Sequence, residues 1–406
     1  MRIYNTIAGF ALRYAISFPN TSGGILEGFG NQNWPDVYRG GTEIVRSHFG
    51  KKIIKASYTG LFVDEYQDCT VAQHELILAI ASVIPCRVLG DPLQGIFEFG
   101  IDSPLVEWEN HVFSNFERLP DLTHPWRWQK VNPVLGLWLA DVRIALESKH
   151  CIDLSTAPRS VRWFSNTPEN QRRSCFDAAR KDGTTIAIHK WPHEAHSLAR
   201  LLGGAFVSME EVECRDLLKW ADTLEQDRAS ATLCFHIIDF ASECLTTVST
   251  ALATIRRKVE RGDFNTTRIK NNAEILERIG QLCKVKDWHN LLAVLELIQS
   301  IPGAIIFRPE LWHDMKKALR EHASAADDKL REIAWKIRDV GRFLGRDLRK
   351  RCVSRTLLVK GLEFQHCIIL NAQSLTTKEL YVAMTRGSTS LVVLSNGPIL
   401  NHAVAT

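Results

Sequence analysis

Residues 61–70 read LFVDEYQDCT. An apolar run leads straight into Asp64 and Glu65, and Asp68 follows. Acids that end a hydrophobic strand need a partner, because an unpaired buried charge is costly. The flanking sequence says what kind of fold holds them. TVAQHELILAIASVI (70–84) has helical spacing, and CRVLGD (86–91) is a second apolar run closed by an acid. Strand, helix and strand in that order form the unit of a parallel α/β sheet. Such sheets bind ligands beyond the carboxyl ends of their strands, which is where Asp64, Glu65 and Asp91 fall.

The chain has 406 residues, enough for two or three domains. Four regions follow from the pattern. Residues 1–120 mix short apolar runs with helical stretches, beginning with MRIYNTIAGFALRYAISFP (1–19), which reads as a strand end running into a buried helix. Residues 121–210 hold the strand candidate TTIAIHK (184–190) and the helix PHEAHSLARLL (192–202). Residues 211–350 carry amphipathic stretches such as LLAVLELIQSI (291–301) and few strand signals, so they read as a helical insertion. Strand character returns in 351–406 with SRTLLVKGLEFQHCIILNA (354–372) and TSLVVLS (389–395). The second α/β lobe is therefore expected to be split by helices. The net charge of +4 is too mild to identify a nucleic-acid partner, so a basic surface has to be argued locally. Ten cysteines without a CxxC pair argue against a zinc ribbon and for a reducing, cytoplasmic setting. No apolar run is long enough to span a bilayer, so no membrane partner is expected.

Several stretches carry chemistry. In nucleotide hydrolysis, an Asp-Glu pair at a strand end has defined uses: the first carboxylate holds Mg²⁺ and the second orients the attacking water. The alternative is a surface turn whose acids cap the next helix. In VLGDPLQGIFEFG (88–100), Gln94 is a candidate to hydrogen-bond a γ-phosphate or its water. Phe97 and Phe99 offer flat faces for base stacking, or else belong to the core. TLLVKGLEFQHCIIL (356–370) sets Lys360, Gly361 and Glu363 beside a buried strand. KELYVAMTRGSTSLVVLS (378–395) puts Arg386 between a short helix and a strand, and LTHPWRWQ (122–129) puts Arg127 between two tryptophans. Either arginine can stabilise charge on a transferring phosphoryl group, or form a surface ion pair.

Taken in order, these stretches resemble the superfamily 1 helicases of the UvrD/Rep type. VDEYQD (63–68) is similar to motif II, GDPLQGIFEF (90–99) to motif III and HPWRW (124–128) to motif IV. VKGLEF (359–364) is similar to motif V and LYVAMTRG (380–387) to motif VI. The resemblance implies an α/β fold of two RecA-like lobes of P-loop NTPase type, with ATP and Mg²⁺ between them and single-stranded DNA across the top. The implied roles are Mg²⁺ binding for Asp64, water activation for Glu65 and γ-phosphate sensing for Gln94. Arg127 and Arg386 would face the γ-phosphate, and Glu363 the nucleotide sugar, with Asp91, Lys360 and Gly361 also on the nucleotide. Phe97 and Phe99 would meet DNA bases. The implied activity is ATP-dependent translocation on single-stranded DNA with duplex unwinding, 3′ to 5′, with a nuclease or another helicase-complex subunit as a further class of partner.

The family also needs a phosphate loop, G-x-x-x-x-G-K-[ST], upstream of motif II. The nearest candidate, FGKK (49–52), has Lys52 in place of Ser or Thr and Val45 in place of the first Gly. The reading is therefore a truncated first lobe, without the main phosphate cradle. Three expectations follow: a helicase whose recorded sequence lacks its N-terminus, a non-catalytic DNA- or partner-binding remnant, or one subunit of a split ATPase.

Two further stretches carry weaker signals. HEAH (193–196) spaces its histidines at i and i+3, not the i and i+4 of a zinc hydrolase, so no metal role is expected for it. In KIRDVGRFLGRDLRKR (336–351), Arg338, Arg342, Arg346 and Arg349 fall within about an 80° arc of an ideal helix. That makes either a basic stripe for a phosphate backbone or a solvated face paired with Asp339 and Asp347.

Overall fold

The computed structural model describes residues 5–23, 33–97, 104–211, 214–267, 269, 271–324, 328–344 and 349–401. They divide into two compact units. The smaller holds the residues up to His124 together with Thr377–Tyr381, and the larger holds Pro125–Thr376 together with the residues from Val382 onward.

The smaller unit is built on the expected strand–helix–strand element. Strands β1 (Leu61–Val63) and β2 (Cys86–Val88) pair in parallel, with Leu61 opposite Cys86 and Val63 opposite Val88. The helix between them, Val71–Ala81, starts at a capping box. The Thr70 hydroxyl accepts from the Gln73 amide at 3.3 Å and the Gln73 side chain accepts from the Thr70 amide at 2.9 Å. That satisfies two of the amides that a helix start leaves unpaired. Leu76, Ile77 and Ile80 of this helix pack with Ile44 and Val45 of the helix Trp34–Arg46 and with Ala11 and Tyr14 of the helix Ile7–Ser17. Tyr66 is fully buried, its hydroxyl 2.7 Å from His74 Nδ1. FGKK lies inside the helix His48–Ser57, so that stretch is no loop.

In the larger unit a short strand β3 (Ile152–Asp153) precedes the main sheet. The sheet strands are β4 (Val161–Ser165), β5 (Thr185–His189), β6 (Val207–Ser208), β7 (Arg351–Arg355), β8 (Phe364–Ile369) and β9 (Gly387–Ser395); a last strand, β10 (Ile399–Leu400), pairs antiparallel with β3. All six sheet strands run parallel in the order β4-β9-β8-β5-β7-β6. Every residue of β5 is buried. Both faces of a parallel sheet are normally covered, and continuous apolar strands are the result. Ala187, Val353, Ile368 and Val392 line one face and pack with Cys175, Ala195 and Leu198 of the helices Pro168–Ala179 and Pro192–Leu201. The larger unit is thus an α/β fold.

The chain leaves this sheet after β6 and returns in β7, which lies between β5 and β6. The excursion is helical, with its own core drawn from Leu217, Phe240, Ile279, Leu295, Trp312 and Ile333 among others. Phe240 and Trp312 stack with ring centroids 5.6 Å apart. A buried ion pair joins the insertion to the sheet. Arg308 Nε and Nη2 donate to the two Glu210 oxygens at 2.7 Å each, and Nη2 also reaches Asp216 at 2.6 Å. Both Arg308 and Glu210 side chains are 4% exposed.

The segment 356–359, expected to be extended, is instead a helical turn between β7 and β8. β6 and β7 are strands that flank the helical insertion, and β4 is a further strand that the sequence pattern does not single out. No helix among the described residues is long and apolar enough to cross a membrane.

Removing one member of a buried ion pair strands the other in a low dielectric. Arg308→Leu should therefore cost about 3–5 kcal/mol, and Arg308→Leu with Glu210→Leu should recover much of the loss. Urea unfolding followed by tryptophan fluorescence checks both; equal midpoints for single variant and wild type would show that the pair does not hold the junction.

Candidate functional site

Two clusters gather the residues singled out from the sequence, each within its own unit. In the smaller unit, Asp64 and Glu65 leave the carboxyl end of β1 and both are exposed. Glu65 sits in the left-handed backbone region (φ 53°), a conformation that costs a non-glycine residue about 1–2 kcal/mol. Its amide donates to Asp64 Oδ1 at 2.9 Å. A buried neighbour, Gln67, explains how the turn is held. Its side-chain Nε2 donates to Glu65 Oε2, and its Oε1 accepts from the Asp91 amide at 2.9 Å. One amide side chain thereby ties the acids after β1 to the segment after β2. Asp91 in turn caps the turn Pro92–Gln94, accepting from the Leu93 amide at 3.1 Å and from Gln94 Nε2 at 3.0 Å. Gly90 makes the approach possible: a Cβ there would stand 2.6 Å from Gln67 Oε1 and 3.0 Å from the Tyr66 amide nitrogen.

In the larger unit, Arg127 lies on the helical turn Trp126–Gln129. Its Nε pairs with Glu363 at 3.1 Å and its Nη1 donates to the Thr385 carbonyl at 2.8 Å, while its guanidinium lies 5.3 Å from the Trp128 ring centroid. Trp128 Nε1 donates to the Gly387 carbonyl at 2.9 Å, and Asn132 Nδ2 to the Thr389 carbonyl at 2.9 Å. These bonds anchor the 126–132 segment along β9. Arg386 is 1% exposed. Its three nitrogens donate within this unit, to the Val382 carbonyl (2.9 Å), the Leu362 carbonyl (3.0 Å) and Thr385 Oγ1 (2.8 Å). Thr385 thus receives both arginines, one on its carbonyl and one on its hydroxyl. Gly361 takes φ 75°, the left-handed turn between the helical turn and β8 that positions Leu362 and Glu363. Lys360 is half-buried and Glu363 half-exposed.

The remaining candidates do not join these clusters. Phe97 is half-buried in the smaller unit. Phe99 and Arg346 lie outside the described residues, as does the side chain of Arg342. The helix Leu330–Leu344 turns Arg338 inward, where Nη1 donates to Glu310 and Asp314 at 3.0 Å each and Nη2 to the Glu211 carbonyl at 2.6 Å. Acids on the facing helix hold this arginine, which sets it apart from the exposed Arg349. Arg349 is exposed and non-helical.

One metal-like arrangement does arise. His196, Glu210 and Asp216 bring ligand atoms within 4.8 Å of one another. The cation at their centre is Arg308, which already holds both carboxylates. Burial first, then the Arg308 charge, pushes His196 down to about 3, and its Nδ1 lies 2.6 Å from the Ser208 hydroxyl. The trio belongs to the junction of insertion and sheet.

Sequence reading missed Gln67 and Thr385, the two residues that hold the clusters together. The available signal was their position, inside VDEYQD and next to Arg386. No protein-family profile and no curated protein sequence matches this chain.

Gly90→Ala should push the Gln67 amide off Asp91 and destabilise the smaller unit by about 1–3 kcal/mol, the usual cost of overpacking. Urea unfolding reads the cost, and the shift of the ¹⁵N-labelled Gln67 side-chain amide reads the displacement. An unmoved amide signal would show that the close approach is not a constraint.

Proposed function

We propose that this chain works as an ATP-dependent translocase on single-stranded DNA, of the UvrD/Rep-like superfamily 1 type, built from two RecA-like lobes. The observation that carries the reading is the Gln67 bridge. It couples the acids beyond β1 to Asp91 and Gln94 beyond β2, at the carboxyl ends of two parallel strands. That is the end of a parallel sheet where phosphates and their metal ions bind. The donor set fits Mg²⁺: an exposed aspartate oxygen suits a hard cation that keeps most of its waters. In this reading Asp64 holds the ion, Glu65 orients the attacking water and Gln94 senses the γ-phosphate. Arg127 supplies positive charge for phosphoryl transfer, and the buried Arg386 positions it through Thr385. Lys360, Gly361 and Glu363 form the turn beside the nucleotide, with Asp91 supporting Gln94. Phe97 and Phe99 stack on bases.

The 406 residues contain no phosphate loop. A second reading, one subunit of a split ATPase, has an observation of its own. Phe62 of β1 is 68% exposed beside Arg87, whose guanidinium carbon lies 5.8 Å from the ring centroid, and no third strand pairs with β1 or β2 among the described residues. Two parallel strands are too few for an independent sheet. An added strand that carries a phosphate loop would complete both the sheet and the site.

The two readings share a first test. The chain by itself should hydrolyse ATP negligibly, with or without DNA. Adding a polypeptide that bears G-x-x-x-x-G-K-[ST], fused or in trans, should restore turnover, and Glu65→Gln should then remove turnover while sparing much of the binding. DNA-stimulated hydrolysis by residues 1–406 alone, abolished by Glu65→Gln, would overturn the claim that the cradle is supplied from elsewhere.

Binding to DNA can be tested on the chain as it stands. Basic side chains that neutralise phosphates release counterions, so they make affinity fall as salt rises, whereas base stacking is nearly indifferent to salt. Replacing Arg342 and Arg346 by Ala should flatten the log–log salt dependence by about 0.7 for each phosphate left without its arginine. Phe97→Ala should weaken binding by about 1–3 kcal/mol and leave the slope in place. Fluorescence anisotropy with a labelled oligonucleotide over a salt series measures both. An unchanged slope in the arginine double variant returns that segment to an ordinary solvated surface.

A further inference from the structure

Two thiols in the helical insertion stand close together without a bond. Cys234 lies on the helix Ala231–Cys244 and is fully buried. Cys283 caps the end of the helix Ala273–Leu282 and is half-buried. Their sulfurs are 3.1 Å apart, and Cys234 Sγ also lies 3.5 Å from the Ile279 carbonyl oxygen. A disulfide needs about 2.05 Å, so a movement of about 1 Å would join them. The two positions are 49 residues apart in sequence. The pair therefore ties two non-adjacent helices of the insertion core.

We propose that Cys234 and Cys283 are a redox-modification site, a dithiol that a small hydroperoxide converts reversibly into a disulfide within the insertion. The partial exposure of Cys283 makes it the sulfur that meets the oxidant. Its thiolate attacks one peroxide oxygen and the O–O bond breaks. With hydrogen peroxide, the departing hydroxide takes up the proton released from the thiol and leaves as water, and Cys283 becomes a sulfenic acid. Cys234 then attacks the Cys283 sulfur. The S–S bond forms, the S–O bond breaks, and the leaving hydroxide takes the Cys234 proton as a second water. Two thiols and one peroxide give one disulfide and two waters. Burial holds the Cys234 thiol protonated, so it is not the sulfur that meets the peroxide, and it gives up its proton as the S–S bond forms. Reduction by an ordinary dithiol reverses the change.

The consequence is a cross-linked insertion. Closing a loop of this length removes freedom from the unfolded chain, more so than a short loop would. The oxidised protein should melt about 5–10 °C higher than the reduced one. The pair lies in the helical core of the insertion, so its oxidation is independent of the nucleotide and DNA readings.

The experiment is peptide mapping of the native full chain after brief exposure to hydrogen peroxide and blocking of remaining thiols. Trypsin should release IGQLCK (279–284) joined to the peptide 229–256, and dithiothreitol should separate them. The second peptide also holds Cys244, so the linkage must be lost in Cys234→Ala as well as in Cys283→Ser. Wild-type mapping needs no variant to fold. The proposal is overturned if Cys283 remains a thiol or advances to sulfinic acid without the cross-link. It is equally overturned if the linkage persists in Cys234→Ala, or if the oxidised and reduced forms melt together.

Discussion

The Arg308 guanidinium is almost entirely shielded from water, so its charge must be answered by carboxylates held at fixed places. Glu210 comes from the chain just beyond β6, Asp216 from the first insertion helix and Glu243, 3.7 Å away, from the second. Arg308 itself precedes the helix Pro309–Ser324. The pair consequently fixes how the insertion departs from the sheet. That matters because β7 must slot between β5 and β6 after the whole excursion, and a parallel strand has no short turn to guide it home. Backbone bonds at the same junction add to the constraint, including Ser208 to the Phe307 carbonyl at 2.7 Å and Thr246 to the Ile305 carbonyl at 2.9 Å. A buried ion pair adds little net stability over a well-packed apolar one, but it rejects wrong arrangements, because any misplacement leaves a charge unanswered. Two partly buried sets of pairs, Arg355 with Glu211 and Arg338 with Glu310 and Asp314, add weaker versions of the same constraint.

Much of the architecture is legible in the sequence because long elements carry a period. The helix 71–81 announces itself by its spacing and by Thr70 and Gln73 at capping-box distance, and β5 and β8 by their apolar runs. Other strands are not legible. β3, β6 and β10 have two residues each, too few to show alternation, and β7, RCVSR, hides its buried middle between arginines. TLLV misleads because four apolar residues fit a strand or a helical turn equally well. The insertion is legible as helix, yet its polarity is not. Helical periodicity places Arg338 at an angle, but only the facing helix decides whether that angle meets water or Glu310 and Asp314.

The candidate clusters show the same division. Charged residues stand out, and the side chains that position them do not. Gln67 and Thr385 carry no charge and occur inside stretches where attention goes to the acids and the arginine. Their importance comes from bonding two segments at once: Gln67 bonds Glu65 and the Asp91 backbone, and Thr385 accepts from Arg127 and Arg386. That information is three-dimensional, since the paired segments are separated by a helix in one case and by most of the larger unit in the other. Neutral polar groups buried among apolar ones are costly unless bonded, which makes such residues reliable marks of a fixed local geometry once the fold is known.

The two arginines of the larger unit cannot be equivalent. Arg386 is 1% exposed, and its three nitrogens already meet carbonyls and a hydroxyl that brace the turn before β8 against the segment entering β9. Turning any of them toward an external anion would leave buried acceptors unpaired, at about 1–3 kcal/mol for each such group. Arg127 is differently placed. Its side chain is 30% exposed, it stacks on Trp128, and its carboxylate partner Glu363 is itself half in solvent. An ion pair at such a surface contributes little, on the order of 0–1 kcal/mol, and is exchanged for another anion at correspondingly small cost. A phosphate approaching this unit would therefore draw on Arg127 at far lower cost than on Arg386. Arg386 instead holds Leu362 and Thr385, next to the Glu363 carboxylate and the Thr385 carbonyl that hold Arg127.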